Sequence, residues 1–329
     1  MKSEHILTVV IVNFQTADLA IDCLKSLVAP GTAPDGTRVV IVDGASGDDS
    51  VERIAGAIES HGWSEQVNLL PLAVNGGFAY GNNRGLEHAV ALFGRSRYVL
   101  FLNPDTVVRP GAFIPLVEFM DAHPKAGIAG SRLEDPDGTR QACAFRFPSI
   151  AAEFEGEARL GPVTRLLGRW RIAPDMPDEP QPIDWVSGAC MIVRDVLQDE
   201  IGMMDERYFL YYEEVDFSLR AARAGWQCWH VPQSRVVHLV GQATGVTVRF
   251  ARPARRPAYW FESRRRYFNK HHGRFYAALA DAAWVAGHIL WRGRQTIEGR
   301  RGEGPPHLLS DFIRYGRQFQ YSGAVRTKP

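Results

Sequence analysis

The four cysteines of this 329-residue chain, Cys23, Cys143, Cys190 and Cys228, are scattered, and none stands in a C-x-x-C pair. That excludes a zinc knuckle or a disulfide framework as the organising device and fits a reducing compartment. No window of about 18 uncharged apolar residues exists, so no segment is expected to span a bilayer. The first residues, Met1 to His5, run straight into a strand-like stretch with no signal-peptide pattern, which leads to the expectation of a cytoplasmic protein. After that first strand stands Val12-Asn13-Phe14-Gln15-Thr16 in place of G-x-G-x-x-G, which argues against a dehydrogenase-type dinucleotide fold. A Walker loop, internal repeats and low-complexity tracts are absent as well. Even net charge is nearly missing, with 38 Lys/Arg against 37 Asp/Glu.

What is present begins with 45% hydrophobic and 11% aromatic residues, ample for a core. Residues 6–13 (ILTVVIVN), 38–43 (RVVIVD) and 98–102 read as buried strands, and 67–72 as a further strand. Between them, residues 17–28, about 50–60 and 81–93 carry apolar side chains at helical spacing. Strands alternating with helices of about a dozen residues predict a mostly parallel sheet with right-handed crossovers. Further on, residues 110–123 read as a helix, 126–133, 185–193 and 227–238 as strands, and the Pro-rich stretch near 174–182 as a mobile loop. An acidic stretch in 205–225 leads into another helix.

Charge is unevenly spread. From residue 251 onward stand 16 Lys/Arg and 5 Asp/Glu, a balance of +11, which leaves 22 against 32, or −10, for the first 250 residues. Residues 252–275 interleave seven arginines with aromatics, and residues 275–291 form an apolar stretch broken by Asp281 and His288. This composition suits an anionic lipid surface, a nucleic acid, or a basic face packed on the rest of the protein. The nucleic-acid reading leaves the acids at the strand ends unexplained.

Those strand ends carry the chemistry. Ligands in open α/β sheets bind at the carboxyl ends of the strands. Here the four successive ends are Asn13, Asp43, Asn75-Gly76-Gly77 and Asn103-Pro104-Asp105. Each alone is ordinary turn chemistry; together they form a polar rim able to hold a base and a ribose. A second group, Glu213, Glu214 and Asp216, directly follows Phe209-Leu210-Tyr211-Tyr212. Carboxylates favour helix N-termini, but an apolar wall beside one of them would raise its pKa, as a general base requires.

These stretches in order, VVIVNF (9–14), VDGASGDDS (42–50), NGGFAYGNNRGL (75–86), FLNPDTVV (101–108), WVSGACMIVR (185–194), YFLYYEEVDFSLRAARAGW (208–226) and VVHLVGQATG (236–245), resemble the inverting glycosyltransferases of family 2, in particular their bacterial rhamnosyltransferase-like branch. The resemblance covers roughly residues 6–275. It implies an α/β fold of the GT-A type, three layers around a central, mostly parallel sheet, with residues 1–105 as the nucleotide-sugar half, 106–250 as the acceptor half and 251–329 as a basic helical extension. It implies transfer of a sugar, with rhamnose or a similar deoxysugar as first choice, from a dTDP- or UDP-sugar to a glycan or lipid-linked acceptor. The alternative is a non-catalytic nucleotide- or glycan-binding protein on the same fold.

By the same resemblance Asp105 is the carboxylate that meets a divalent cation, Mg²⁺ or Mn²⁺, with His238 as the second ligand and Asn103 where the family has its other acid. Asp43 faces the base, with Val12 and Asn13 beneath it. Asn75, Gly77 and Asn83 lie near the ribose and donor sugar. Glu214 stands where the base is expected, with Glu213 and Asp216 as its competitors. Trp185, Gly188 and Ala189 line the acceptor side. Such enzymes extend lipid-linked or surface glycans at the inner face of the plasma membrane, which would bring residues 252–291 to an anionic surface.

Overall fold

The computed structural model describes residues 5–176, 178–241, 254–299 and 304–317. The end of the last motif, 242–245, and Arg252 therefore lie outside the described residues. The chain opens with β1 (His5–Asn13), α1 (Ala17–Leu27), β2 (Arg38–Asp43), α2 (Ser50–Ser60), β3 (Val67–Pro71), α3 (Phe78–Phe93) and β4 (Ser96–Leu102). Then follow β5 (Thr106–Val108), α4 (Phe113–Ala122), β6 (Ala126–Glu134), β7 (Ala144–Phe145), α5 (Ile150–Ala158) and α6 (Gly161–Leu167). Next come β8 (Gln181–Ile183), β9 (Trp185–Val186), β10 (Cys190–Arg194), α7 (Leu197–Ile201), α8 (Glu213–Arg223) and β11 (Gln227–His238). Two helices close the description, α9 (Ala258–Ile297) and α10 (Leu308–Arg317).

The main sheet has the order β3-β2-β1-β4-β10-β6-β11-β5, with β8 also paired to β11. β3, β2, β1 and β4 run parallel, as their continuous apolar runs predict. β10 is antiparallel to both β4 and β6, while β6 and β11 are parallel. Alternate side chains of β1 divide between the two faces. Leu7, Val9 and Ile11 pack with α1, α2 and α4, and Val10 packs with α3 and the α7–α8 side. The three-layer expectation holds.

Three boundaries differ from the sequence reading, each for a local reason. The strand expected over 185–193 is split by a turn at Ser187-Gly188-Ala189, where Asn103 N–H donates to the Ala189 carbonyl. α3 begins at Phe78, because Phe78 N–H donates to the Phe209 carbonyl at 2.8 Å. The stretch near 174–182, expected as a loop, ends in β8 against β11.

The arginine-rich C-terminal segment is mostly internal structure. α9 breaks at Gly273 (φ 84°) into two arms, and its body packs against α5. Arg264, 2% exposed, pairs with Glu153 and Asp281; Arg265 also pairs with Asp281, and Arg255 with Asp311. A buried guanidinium needs such partners, so Arg264 at least is turned away from any lipid surface.

Candidate active site

A cavity of about 560 Å³ opens at the carboxyl ends of β1–β4. Val12, Phe14, Gly44, Asn75, Gly77, Asn103, Pro104 and Asp105 form one wall. The other comes from the turn at 187–189, from Phe209, Leu210, Tyr211, Glu213 and Glu214, from His238, Val240 and Gly241, and from the start of α9 at Pro257, Ala258 and Tyr259.

Sheet register explains how residues far apart in sequence meet here. β11 pairs antiparallel with β5 so that His238 lies opposite Thr106, and Leu239 N–H donates to the Asp105 carbonyl. His238 Nε2 thereby comes to 3.5 Å from Asp105 Oδ1, with both side chains largely shielded. β1 and β2 pair Asn13 with Asp43, whose carboxylate accepts from Asn13 Nδ2 and from the Ser46 backbone and hydroxyl. Asp43 is 1% exposed and both its oxygens are engaged, so it and Asn13 underlie the rim while Gly44 lines it.

Gly77 cannot be replaced without disturbing this junction. Its φ is +88°, and a Cβ would sit 2.0 Å from the Phe209 carbonyl oxygen. Asn75 Oδ1 accepts from Gly77 N–H at 3.0 Å, which closes the turn. The loop after β3 is thus buttoned to the loop before α8.

That second loop is strained. Tyr211 and Tyr212 both sit at φ 70°, in the left-handed region that bulky residues avoid. Ser263 on α9 donates to the Leu210 carbonyl, and the Tyr259 ring lies 5.4 Å from Phe209 and 6.2 Å from Tyr211. These α9 contacts hold the loop where it delivers Glu213 and Glu214, the first residues of α8, into the cavity. One oxygen of each, Oε2, is buried with no hydrogen-bond partner among the described residues. Burial pushes the Glu214 carboxyl up to about 7. Burial, and then the charge of Glu214, push Glu213 well above the ordinary range. Between them they hold a group able to accept a proton near neutral pH.

Besides Asn13 and Asp43, which lie beneath the rim, three more expected positions lie off the cavity. Asp216 accepts from Lys270, His271, Tyr208 and Arg220, and its pKa is lowered to about 2; burial alone would raise it, but the His271 and Lys270 bonds outweigh that. An acid held so firmly ionised is a poor proton acceptor, and it points into the α8–α9 junction. Asn83 bonds both backbone groups of Met204 and the Glu206 carboxylate. Trp185 stacks on Phe145 and donates to the Arg146 carbonyl. The sequence reading missed Phe14, Phe78 and the Pro257–Tyr259 corner, and gave Tyr211 only as part of an apolar wall. A short aromatic run before an acidic helix start was the one signal that pointed to Tyr211.

Strand-end polar groups, a paired acid and imidazole, and a base-competent carboxyl in one cavity are the parts that a group-transferring enzyme uses. Residues 8–161 match the Glycosyl transferase family 2 profile. The chain is 30% identical over 245 residues, 70% of this chain and 73% of the relative, to N-acetylglucosaminyl-diphospho-decaprenol L-rhamnosyltransferase of Mycobacterium tuberculosis. It is 23% identical over 164 residues, 49% of this chain and 60% of the relative, to the rhamnosyltransferase WbbL of Escherichia coli. Among solved structures, a mannosyltransferase from Pyrobaculum calidifontis in complex with GDP-Man and Mn²⁺ superposes with a TM-score of 0.53 at 16% identity, over 92% of this chain and 77% of that one. GalNAc-T7 with UDP, GalNAc and Mn²⁺ gives a TM-score of 0.54 at 15% identity, over 72% of this chain and 44% of that one. The chain belongs to glycosyl transferase family 2. It is an inverting glycosyltransferase of the GT-A fold.

Proposed function

We propose that this enzyme transfers a deoxysugar, rhamnose first, from a dTDP- or UDP-sugar to a hydroxyl of a lipid-linked glycan acceptor at the inner face of a membrane, with Glu214 as the base. The observation that carries this reading is the opening of Glu214 into the same cavity as Asp105 and His238. The two rhamnosyltransferase relatives favour the sugar, and the decaprenol-linked substrate in the name of one favours the acceptor.

The cation site fits a modest version of the expectation. Among the described residues no cluster of three or more His, Cys, Asp and Glu could hold a metal by itself. The Asp105–His238 pair offers an oxygen and a nitrogen donor that would hold Mg²⁺ or Mn²⁺. A cation held there would supply positive charge against the leaving diphosphate. Glu214 takes the proton of the acceptor hydroxyl. The acceptor oxygen then attacks the anomeric carbon from the face opposite the diphosphate, and the carbon–oxygen bond to the diphosphate breaks with its electron pair leaving on the nucleotide. Glu213 keeps its proton, so that the pair carries a single charge. No covalent sugar–enzyme intermediate is required.

The test is a calorimetric screen of dTDP-, UDP- and GDP-sugars with and without Mn²⁺ or Mg²⁺, followed by transfer to a lipid-diphosphate-linked N-acetylglucosamine. A dTDP- or UDP-sugar should bind in a cation-dependent way and be consumed. Binding of GDP-sugars alone, or cation-independent binding, would contradict the reading.

A further inference from the structure

The second arm of α9, residues 274–297, has two faces of different chemistry. Its inner face buries Ala277, Ala280, Trp284, His288, Trp291 and Gln295, with α5 and α10 as the helices packed on α9. Its outer face exposes Phe275 (79%), Leu279 (42%), Ile289 (58%), Leu290 (46%) and Ile297 (88%). At 100° per residue these five fall within a stripe about 100° wide. Ala282, Ala286 and Gly293, all exposed, fall in the same stripe and complete it. Over about 33 Å, at 1.5 Å per residue, the outer stripe holds no polar side chain among the described residues. A surface helix of a globular protein ordinarily turns charge outward on that face.

The flanks of the stripe are basic. Arg274 and Arg292 are exposed along one edge, and Arg294 lies along the other. Asp281, the one acid of this arm, is bound to Arg264 and Arg265. The same α9 begins at the cavity, where Pro257, Ala258 and Tyr259 form part of the wall. No described helix is long and apolar enough to cross a membrane.

We infer that the outer stripe of the second arm of α9 lies on an anionic lipid surface, its apolar side chains at the acyl boundary and its flanking arginines among the headgroup phosphates. This rests on the reading of a lipid-linked acceptor and says which face meets the bilayer. The sequence placed the contact within residues 252–291; Arg255, Arg264 and Arg265 of the first arm are engaged in ion pairs, and the exposed apolar stripe narrows the contact to the second arm. Charge decides between lipid and a second copy of the chain. In a two-fold pairing of this arm with itself, the basic edges would face each other, and among the described residues the acids of this arm and its end, Asp281 and Glu298, are already paired.

The experiment is co-sedimentation of the full chain, without sugar donor, with phosphatidylcholine vesicles that contain or lack phosphatidylglycerol. The wild type should bind the anionic vesicles. The combined variant Phe275→Ser, Ile289→Ser, Ile297→Ser should bind them at least about tenfold more weakly, with unchanged circular dichroism and nucleoside-diphosphate affinity. Arg274→Gln with Arg292→Gln should weaken binding to the anionic vesicles and leave binding to neutral ones unchanged. Equal vesicle binding by wild type and the triple variant would overturn the inference. So would a wild-type dimer in light scattering that the triple variant turns to monomer while vesicle binding stays the same. Vesicle binding is read without chemistry, so its failure leaves the sugar-transfer reading standing, and failed transfer leaves this one standing.

Discussion

The wall of the cavity made of strand ends and the wall made of loops hold their functional groups by different means. Along the first, Gly44, Asn103 and Asp105 directly follow buried strands, and ladder register sets their spacing. The second rests on the strained Tyr211–Tyr212 corner, which is held by Ser263 and Tyr259 of α9 and by the Asp216 ion cluster beneath α8. The first wall is a by-product of the sheet; the second exists only while α9 stays docked. A donor site common to many transferases suits the first kind of construction, and an acceptor site that must differ among them suits the second.

The largest expected effect tests whether α9 docking supports the loop wall. Asp216→Asn breaks a buried ion cluster with Lys270, His271 and Arg220, and should cost about 3–5 kcal/mol in urea unfolding. Donor affinity of the remaining folded protein should stay at the wild-type value. A variant of wild-type stability with a lost chemical step would place Asp216 in the reaction instead.

The second effect belongs to the strand-end wall. Asp105→Ala should weaken cation-dependent nucleoside-diphosphate binding by at least about 100-fold, since even groups that only orient metal ligands cost 10–100-fold. Its ligand-free melting temperature should barely move, as measured by differential scanning calorimetry. A large loss of melting temperature with donor affinity preserved would make Asp105 a turn residue.

The third is a pH dependence. With Glu214 at about 7, the single-turnover rate should fall about tenfold per pH unit below 7 and level off above it. Stability should respond with the opposite sign. Because the folded-state values of Glu213 and Glu214 are raised, the native state binds protons more tightly; both contributions are full below the ordinary carboxylate pKa, and that of Glu214 is lost as pH rises through about 7, with Glu213 acting in the same direction. Asp216, lowered to about 2, contributes above its ordinary value and loses that contribution as pH falls through about 2. Rate and urea-unfolding series across pH would check both signs.

The smallest effect is at Gly188, where a Cβ would lie 3.4 Å from the Phe78 ring and 4.0 Å from Glu214 Cβ. Gly188→Ala should change stability by less than about 1 kcal/mol while narrowing the space beside the base. A raised acceptor KM with unchanged donor affinity would sharpen the division between the walls.

How much of this was legible follows from the same contrast. The sheet and its polar ends were readable because a buried strand announces itself as a continuous β-branched run and its end as an Asn or Asp. His238 was placed beside Asp105 by the resemblance alone, and the β5–β11 register is what brings it there. Tyr259 and Pro257 were hidden because α9 reaches the cavity through tertiary packing. The arginines of 252–275 divide between buried and exposed roles for a related reason. Whether an arginine faces solvent or a buried acid depends on partners as distant as Glu153, 111 positions from Arg264. Asp216, Asn83 and Trp185 sat inside motifs whose neighbours do reach the cavity, and sequence adjacency could not tell a lining residue from the one that props it.

The central claim, that Glu214 is the proton acceptor of an inverting sugar transfer, is tested most directly by single-turnover transfer in Glu214→Gln at saturating donor and Mn²⁺, with donor affinity measured alongside and Glu213→Gln as control. The account predicts donor affinity near wild type, a transfer rate lower by about 10²–10⁴ in Glu214→Gln, and a smaller loss in Glu213→Gln. A Glu214→Gln rate near wild type, with Glu213→Gln carrying the large loss, would contradict it.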